Sequence, residues 1–280
     1  MRKLLRADFE RLKVSKTFWL GLAVMLGICV YLLVDQYHMV RKYAEQAEML
    51  ESIAFSYAPL IGFFCAMIAS MVLGADYNDG TIRNKLSVGH RRLDIYLSQL
   101  IICFVICAAL QLVFIVPVLA LGMPFTNGFA ISTGMAAAMF LLSFFTAMAY
   151  ASICTAIAMG IQNRTAAVIA GIALIALLLF IASVLGGWLG QPEMSYDGGF
   201  VLSADGIIQA PELVQNPYYI TGMERTVYQW IYDLLPTGQS LQIVNGMPGD
   251  YMARWPFTSA LVILLSSAIG YSIFKRKDIK

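Results

Sequence analysis

The feature that most constrains this chain is a set of six long apolar stretches that contain no Asp, Glu, Lys or Arg. They are Thr17–Val34, Phe55–Ala75, Ile95–Leu121, Ala130–Ile161, Thr165–Leu189 and Phe257–Phe274. A helix needs about 20 residues to cross the hydrocarbon core of a bilayer, and each stretch is close to that length or longer. Lipid offers the backbone no hydrogen-bonding partner, so such segments must be helices. The sequence therefore predicts an all-α, polytopic membrane protein with six transmembrane helices.

The charged residues between these stretches are divided unequally between the two sides of the predicted membrane. Fifteen of the 19 lysines and arginines fall in the N-terminal segment, the 76–94 loop, the turn at Arg164 and the C-terminal tail. Eleven of the 17 acidic residues fall on the other side. Because basic loops are retained in the cytoplasm, we expect both termini to be cytoplasmic. The expected location is a bacterial cytoplasmic membrane, in which the protein is multi-pass.

Residues 1–16 show the pattern of a helix that lies along a membrane surface. Leu5, Phe9 and Leu12 recur at helical intervals, and basic residues fill much of the rest. This pattern predicts an N-terminal interfacial helix with its cations near anionic head groups. A solvated basic arm that only sets the topology is the alternative.

The segment 190–256, on the side opposite to most basic residues, contains six prolines and seven acids and is expected to be largely irregular. Within it, four apolar residues from Val227 to Leu234 are spaced i, i+3, i+4, i+7, which predicts an amphipathic helix. We expect this helix and a second one after it to be re-entrant, dipping into the outer leaflet before the last span. An external domain packed above the bundle is the alternative. The predicted external gate comprises Trp230, Ile231, Leu234, Leu235 and Pro236.

The 76–94 loop combines a short apolar face with basic residues. Ile82 and Leu86 are four residues apart, so a helix would place both on one face. A short amphipathic helix of this kind can press its apolar residues into a groove of a partner protein. The alternative is an interfacial turn whose basic residues only retain it in the cytoplasm.

Several functional classes lack their characteristic residues. The chain has no Gly-x-x-x-x-Gly-Lys-Ser/Thr motif, so ATP hydrolysis would need another polypeptide. The apolar stretches contain no acid, Lys, Arg or His, which disfavours an ion-coupled carrier or an intramembrane protease. Cys103 and Cys107 are interpreted as apolar core residues and not as metal ligands. The basic residues follow the membrane boundary, so we expect no nucleic-acid partner. No set of catalytic or metal-ligating residues is evident, so we also expect no metal and no enzymatic activity.

The stretch Gly80–Leu86, with Asp76 ending the second span and Arg92 shortly before the third, resembles the corresponding loop of ABC transporter type-2 permeases. The basic N-terminal helix, the six-span plan and the segment Leu234–Gln239 are also similar to that family. The resemblance implies that residues 1–280 form a single transmembrane permease domain, in which the 76–94 loop is a cytoplasmic coupling loop seated on a separate ABC ATPase subunit. ATP and Mg would then be bound by that partner, and this chain would hold no cofactor. The residues expected to contact the ATPase are Asp79, Gly80, Thr81, Ile82, Arg83, Asn84 and Leu86.

The favoured hypothesis is therefore a permease subunit of an ATP-driven exporter. It would pair with a second permease chain, identical or merely similar, and it would contact membrane lipids. A pathway lined by Met, Phe and Ala would suit an amphipathic or apolar substrate such as a peptide, an antibiotic or a lipid. The alternative is an ATP-independent facilitator, or a scaffold that organises partners through Asp76–Arg92.

Overall fold

The chain folds into a bundle of long helices. The computed structural model describes residues 1–43, 50–122, 126, 128–197, 212–246 and 252–277. The helices are α1 (Arg2–Val14), α2 (Lys16–Tyr43), α3 (Leu50–Ala54), α4 (Ala58–Asn78), α5 (Thr81–Ser87), α6 (Arg92–Leu121), α7 (Thr133–Gly160), α8 (Arg164–Leu189), α9 (Gly222–Leu234), α10 (Pro236–Val244) and α11 (Trp255–Arg276). A short 3₁₀ helix, Met252–Arg254, precedes α11, and strands β1 (Met194–Asp197) and β2 (Glu212–Gln215) pair antiparallel.

Six helical segments of the described chain are long and apolar enough to cross a membrane. They are Lys16–Met39, Leu50–Asn78, Arg92–Leu121, Thr133–Gly160, Arg164–Leu189 and Met252–Arg276. Each of them contains or overlaps one of the six apolar stretches. The predicted all-α fold with six candidate spans is therefore confirmed.

Helix α7 lies at the centre of the bundle, where it packs against α4, α6, α8 and α11. One of its faces carries the small residues Ser143, Ala147, Ala151 and Thr155, and all four are buried. Close packing is the main attraction between helices in lipid, and small side chains permit it. The stripe of small residues is thus used for contacts inside this chain.

The bundle has two chemically different ends. We call the end that carries α1, α5 and the C-terminus of α11 the basic end, and the end that carries β1, β2, α9 and α10 the opposite end. At the basic end, Arg92 donates hydrogen bonds to the carbonyl oxygens of Phe274 (2.9 Å) and Lys277 (2.7 Å). These bonds satisfy carbonyl groups at the C-terminus of α11 and join it to the start of α6.

Helix α1 forms as predicted, but the face it turns to the bundle differs from the predicted apolar face. Leu4, Asp8 and Leu12 are its buried residues, whereas Leu5 and Phe9 are only half-buried. The helix packs against α6 through this face. Its position in a membrane interface stays a prediction.

Candidate functional sites at the two ends of the bundle

The short helix α5 is bounded by two glycines in the left-handed conformation. Gly80 precedes it with φ 64°, and Gly89 follows it with φ 92°, values that other residues rarely adopt. The amide of Gly89 bonds to the carbonyl of Leu86, and the amide of His90 bonds to that of Lys85. This pair of bonds is the Schellman motif that ends many helices. The sequence therefore fixes where α5 starts and stops.

The apolar side of α5 faces the rest of the chain. Ile82 is only 1% exposed, and Leu86 is partly buried against the same core. Both side chains therefore pack against this chain's own core, and the expectation that they also contact a partner stays a prediction. The outer surface of α5, which we call the α5 outer face, consists of Arg83, Asn84, Ser87 and Val88. Val88 is 79% exposed although it is apolar.

The residues expected to contact an ATPase thus occupy three kinds of position. Asp79, Arg83 and Asn84 are exposed, Gly80, Thr81 and Leu86 are half-buried, and Ile82 is buried. Contact with a partner stays a prediction for the set.

The buried side of α5 also carries a lysine that the sequence analysis did not single out. Lys85 Nζ lies 2.5 Å from Oδ1 of Asp8 on α1 and 3.1 Å from Oδ2 of Asp76 on α4. The three residues are 9%, 5% and 6% exposed. Lys85 therefore joins α5 to two other helices by ion pairs that are shielded from water.

The two carboxylates have further donors. Ser98 Oγ donates to Oδ2 of Asp8 at 2.5 Å, and Gln99 Nε2 donates to Oδ2 of Asp76 at 3.0 Å. Arg11 pairs with Oδ1 of Asp76. A buried charge is tolerated when it is both paired and hydrogen-bonded, and these contacts meet that condition. We call the six residues the buried charge cluster; it joins α1, α4, α5 and α6.

The sequence contained a signal for this cluster. Asp8 lies four residues from both Leu4 and Leu12, so it shares their face of the helix. Likewise Lys85 lies three residues after Ile82, so it shares the buried face of α5. A charged residue on the apolar face of an amphipathic helix indicates a buried partner. In the sequence analysis above, both charges served only to assign the two sides of the membrane.

At the opposite end, α10 inserts between the long helices. Gln239 Oε1 accepts hydrogen bonds from Thr146 of α7 (2.7 Å) and Ser259 of α11 (2.9 Å). Thr237 donates to the carbonyl of Leu178, 2.9 Å away. Leu178 precedes the end of α8 at Leu189 by eleven residues, or about 16 Å along the helix axis. The start of α10 therefore lies far from the end of α8, towards the middle of the bundle. This position supports the prediction of a re-entrant segment.

The predicted gate residues lie on α9 and at the start of α10. Trp230, Ile231 and Leu234 remain 48%, 42% and 37% exposed, whereas Leu235 is half-buried and Pro236 is buried. The exposed residues form the predicted apolar face of α9. Because an apolar face of this kind suits contact with lipid, the arrangement is compatible with insertion into a leaflet. A gating role stays a prediction.

Asp233, beside this face, is a buried carboxylate without a full set of partners. Its Oδ1 accepts hydrogen bonds from Gln229 (2.9 Å) and Gln242 (3.1 Å). Its Oδ2 has no hydrogen-bond partner among the described residues. Burial raises the pKa of the Asp233 carboxyl, and the neighbouring donors of Gln242, Gln229 and Trp255 together with the charge of Arg254 oppose that shift.

The described part of the chain contains no group of three His, Cys, Asp or Glu residues that could hold a metal ion. All five cysteines are buried and unpaired. Among the described residues, the buried charge cluster joins four helices at the basic end, and α10 inserts its polar side chains between the long helices at the opposite end.

A comparison with protein families identifies a relationship. The family model described as "ABC-2 family transporter protein" matches residues 4–191, about two thirds of the chain. The match extends from α1 through α8, and so includes the buried charge cluster. No curated protein matches the chain at a significant level.

The first prediction concerns the buried charge cluster. Lys85→Met keeps a long side chain but leaves Asp8 without a cationic partner. Removing one member of a buried ion pair costs about 3–5 kcal/mol. Lys13→Met, which breaks the solvent-exposed pair with Glu10, should change stability little, because water screens such a pair. Thermal unfolding in detergent should place Lys85→Met well below Lys13→Met, and equal midpoints would contradict a stabilising role for the cluster.

The second prediction concerns Asp233. A raised pKa in the folded state means that this carboxyl supports folding at acidic pH and that its contribution is lost as pH rises through the folded-state value. Asp233→Asn has nearly the same shape and no charge. The variant should therefore unfold at a higher temperature than the wild type at about pH 8, and this advantage should shrink towards about pH 4. Glu224→Gln, an exposed acid on the same helix, is the control, and parallel pH profiles for wild type and Asp233→Asn would contradict the prediction.

Proposed function

This chain belongs to the ABC-2 transporter family, and from that premise we propose that it is the permease subunit of an ATP-driven exporter. Separate ABC ATPase subunits would bind ATP and Mg and hydrolyse the nucleotide. The observation that carries the proposal is α5, a short helix at the basic end with an exposed outer face and a buried, ion-paired inner side. That construction suits a helix that receives force from a partner.

The buried charge cluster supports transmission of that force into the spans. Lys85 contacts Asp76 in the last turn of α4, and Asp76 in turn contacts Gln99 near the start of α6. Ion pairs that are buried and hydrogen-bonded are costly to separate. A displacement of α5 would therefore move the ends of α4 and α6 with it.

The packing of α4 and α7 supports coupling to the opposite end. Both helices contact α10, and Tyr150 of α7 lies 3.0 Å from Ser240 of α10 between their hydroxyl oxygens. Tilting of α4 and α7 would shift α10 and the neighbouring face of α9. In the proposed mechanism, this movement opens and closes the external gate formed by Trp230, Ile231, Leu234, Leu235 and Pro236.

The charge distribution supports a topology with both termini in the cytoplasm, and the proposed location is a bacterial cytoplasmic membrane. The candidate spans Lys16–Met39, Arg164–Leu189 and Met252–Arg276 are the least buried within the chain. Their apolar outer faces are available to lipid and to a second permease chain, either a second copy or a similar protein. An amphipathic or apolar substrate, such as a peptide, an antibiotic or a lipid, suits the apolar composition of the spans.

The third prediction tests the α5 outer face. Ile82→Asp is unsuitable, since it would place a charge in the core. Val88→Asp and Arg83→Glu alter exposed positions and should leave folding intact. Each should reduce the amount of ABC ATPase that co-purifies with the chain in mild detergent by at least about tenfold, because charged or well-packed central contacts dominate such interfaces.

Arg6→Glu is the matched control, since it reverses an exposed charge at the same end on α1. It should leave the ATPase recovery close to that of the wild type. The proposal fails if no ATPase co-purifies with the wild-type chain, a result that would favour the facilitator or scaffold. Unchanged recovery with both α5 variants would overturn the assignment of the docking face.

The fourth prediction tests the external gate. The native cysteines are buried, so an introduced cysteine can be labelled with little background. Ile231→Cys should react slowly with a bulky, membrane-impermeant maleimide applied to intact cells, because lipid would cover the apolar face of α9. Glu224→Cys, on the exposed polar part of the same helix, should react fast. Equal rates at the two positions would rule out insertion of α9 into the leaflet.

A further inference from the structure

A second feature of the basic end is a cavity of about 300 Å³ beside the buried charge cluster. It lies between the end of α1, the start of α2, the last turns of α4 and the start of α8. We call it the α1–α8 cavity. Its charged and polar lining residues include Arg11, Thr17, Asp76 and Arg164.

One cation that lines the cavity has no carboxylate partner. Arg11 pairs with Asp76 and also, at 3.5 Å, with Asp79, and Asp76 is neutralised by Arg11 and Lys85. Arg164, by contrast, forms no ion pair with any carboxylate of the described chain. Its Nε donates to Sδ of Met71 at 3.0 Å, and a thioether is a weak acceptor. The cavity therefore contains a guanidinium that lacks an anion.

Arg164 is held in this position by close backbone packing. A Cβ atom on Gly74 of α4 would lie 2.9 Å from Cβ and 3.0 Å from Cα of Arg164. Only glycine allows α8 to start so close to α4. Arg164 as a whole is half-buried, and it lines the cavity.

The start of α8 adds positive charge beside Arg164. Both α2 and α8 begin at the cavity, and neither has an acidic residue in its first turn. The amide groups at a helix N-terminus carry partial positive charge, so a cation in the first turn of α8 is placed unfavourably. An anion in the cavity would relieve this repulsion at the start of α8.

The remaining walls identify what kind of anion fits. Met71, Val72 and Ala75 supply apolar surface on α4, and Val14, at the rim, is 80% exposed. A ligand with a phosphate and an adjoining acyl chain matches this combination better than a free ion. In the proposed topology the cavity opens at the cytoplasmic head groups, where anionic lipids are enriched.

We propose that the α1–α8 cavity binds one anionic phospholipid, with its phosphate between Arg11 and Arg164 and its acyl chain along α4. The inference rests on the proposed cytoplasmic placement of the basic end. The bound lipid would join α1 to α8 and would hold α1 where Asp8 reaches Lys85.

The test measures the unfolding temperature of the full chain in detergent with added lipid, in the absence of any ATPase. Phosphatidylglycerol should raise the midpoint of the wild type by about 5 °C more than phosphatidylcholine, whose head group has no net charge. Arg164→Gln should lose most of this difference, and Arg164→Lys should retain part of it. Arg91→Gln, an exposed arginine at the same end but outside the cavity, should retain all of it.

Each contrary result overturns the proposal. Equal shifts with the two lipids in the wild type would overturn the proposal. This comparison involves no variant, so it remains valid even if a variant misfolds. An equal loss in Arg91→Gln and Arg164→Gln would show unspecific attraction to anionic lipid.

If inorganic phosphate alone reproduced the shift, the ligand would be a free anion. If Arg164→Gln kept the full lipid response, the lipid would not bind at Arg164. Because no lipid arm contains an ATPase, failure here leaves the proposed function standing.

Discussion

The contact of the Lys85 ammonium with the carboxylates of Asp8 and Asp76 is the interaction on which the basic end depends. Taking these charges out of water carries a large desolvation penalty, which mutual attraction and the added donors Ser98 and Gln99 offset. Because the penalty returns when any partner leaves, α1, α4, α5 and α6 are held together. A force that reaches α5 is then shared by spans that begin or end at the cluster.

The two ends of the bundle are joined by different kinds of contact. The basic end uses buried ion pairs, whereas α10 at the opposite end is held by neutral hydrogen bonds of Thr237, Gln239 and Ser240 together with the bond from Gln242 to Asp233. A neutral hydrogen bond contributes about 1 kcal/mol net, which is less than the cost of breaking a buried ion pair. The asymmetry suits the proposed mechanism, in which a rigid receiving end drives an end that opens.

The family match and the contacts within the structure support different parts of the proposed function. The family match covers residues 4–191 and therefore α5, the buried charge cluster and the α1–α8 cavity. Helices α9, α10 and α11 lie beyond it, so the gate proposal depends on contacts within the structure. Chief among these are the bonds that Gln239 makes to Thr146 and Ser259.

The sequence by itself determined the six candidate spans, the existence of α1 and the chemical difference between the two ends. These features follow from the length of apolar runs and from the positions of charges, and both can be read locally along the chain. Only the tertiary structure decided which way α5 faces. A helix of seven residues can be rotated about its axis with little change in local energy, and packing against the core turned Ile82 inward and left Val88 outside. The pairing of Asp8 with Lys85, separated by 77 residues, and the insertion of α10 beside Leu178 likewise depend on how distant segments meet in space, which no local pattern specifies.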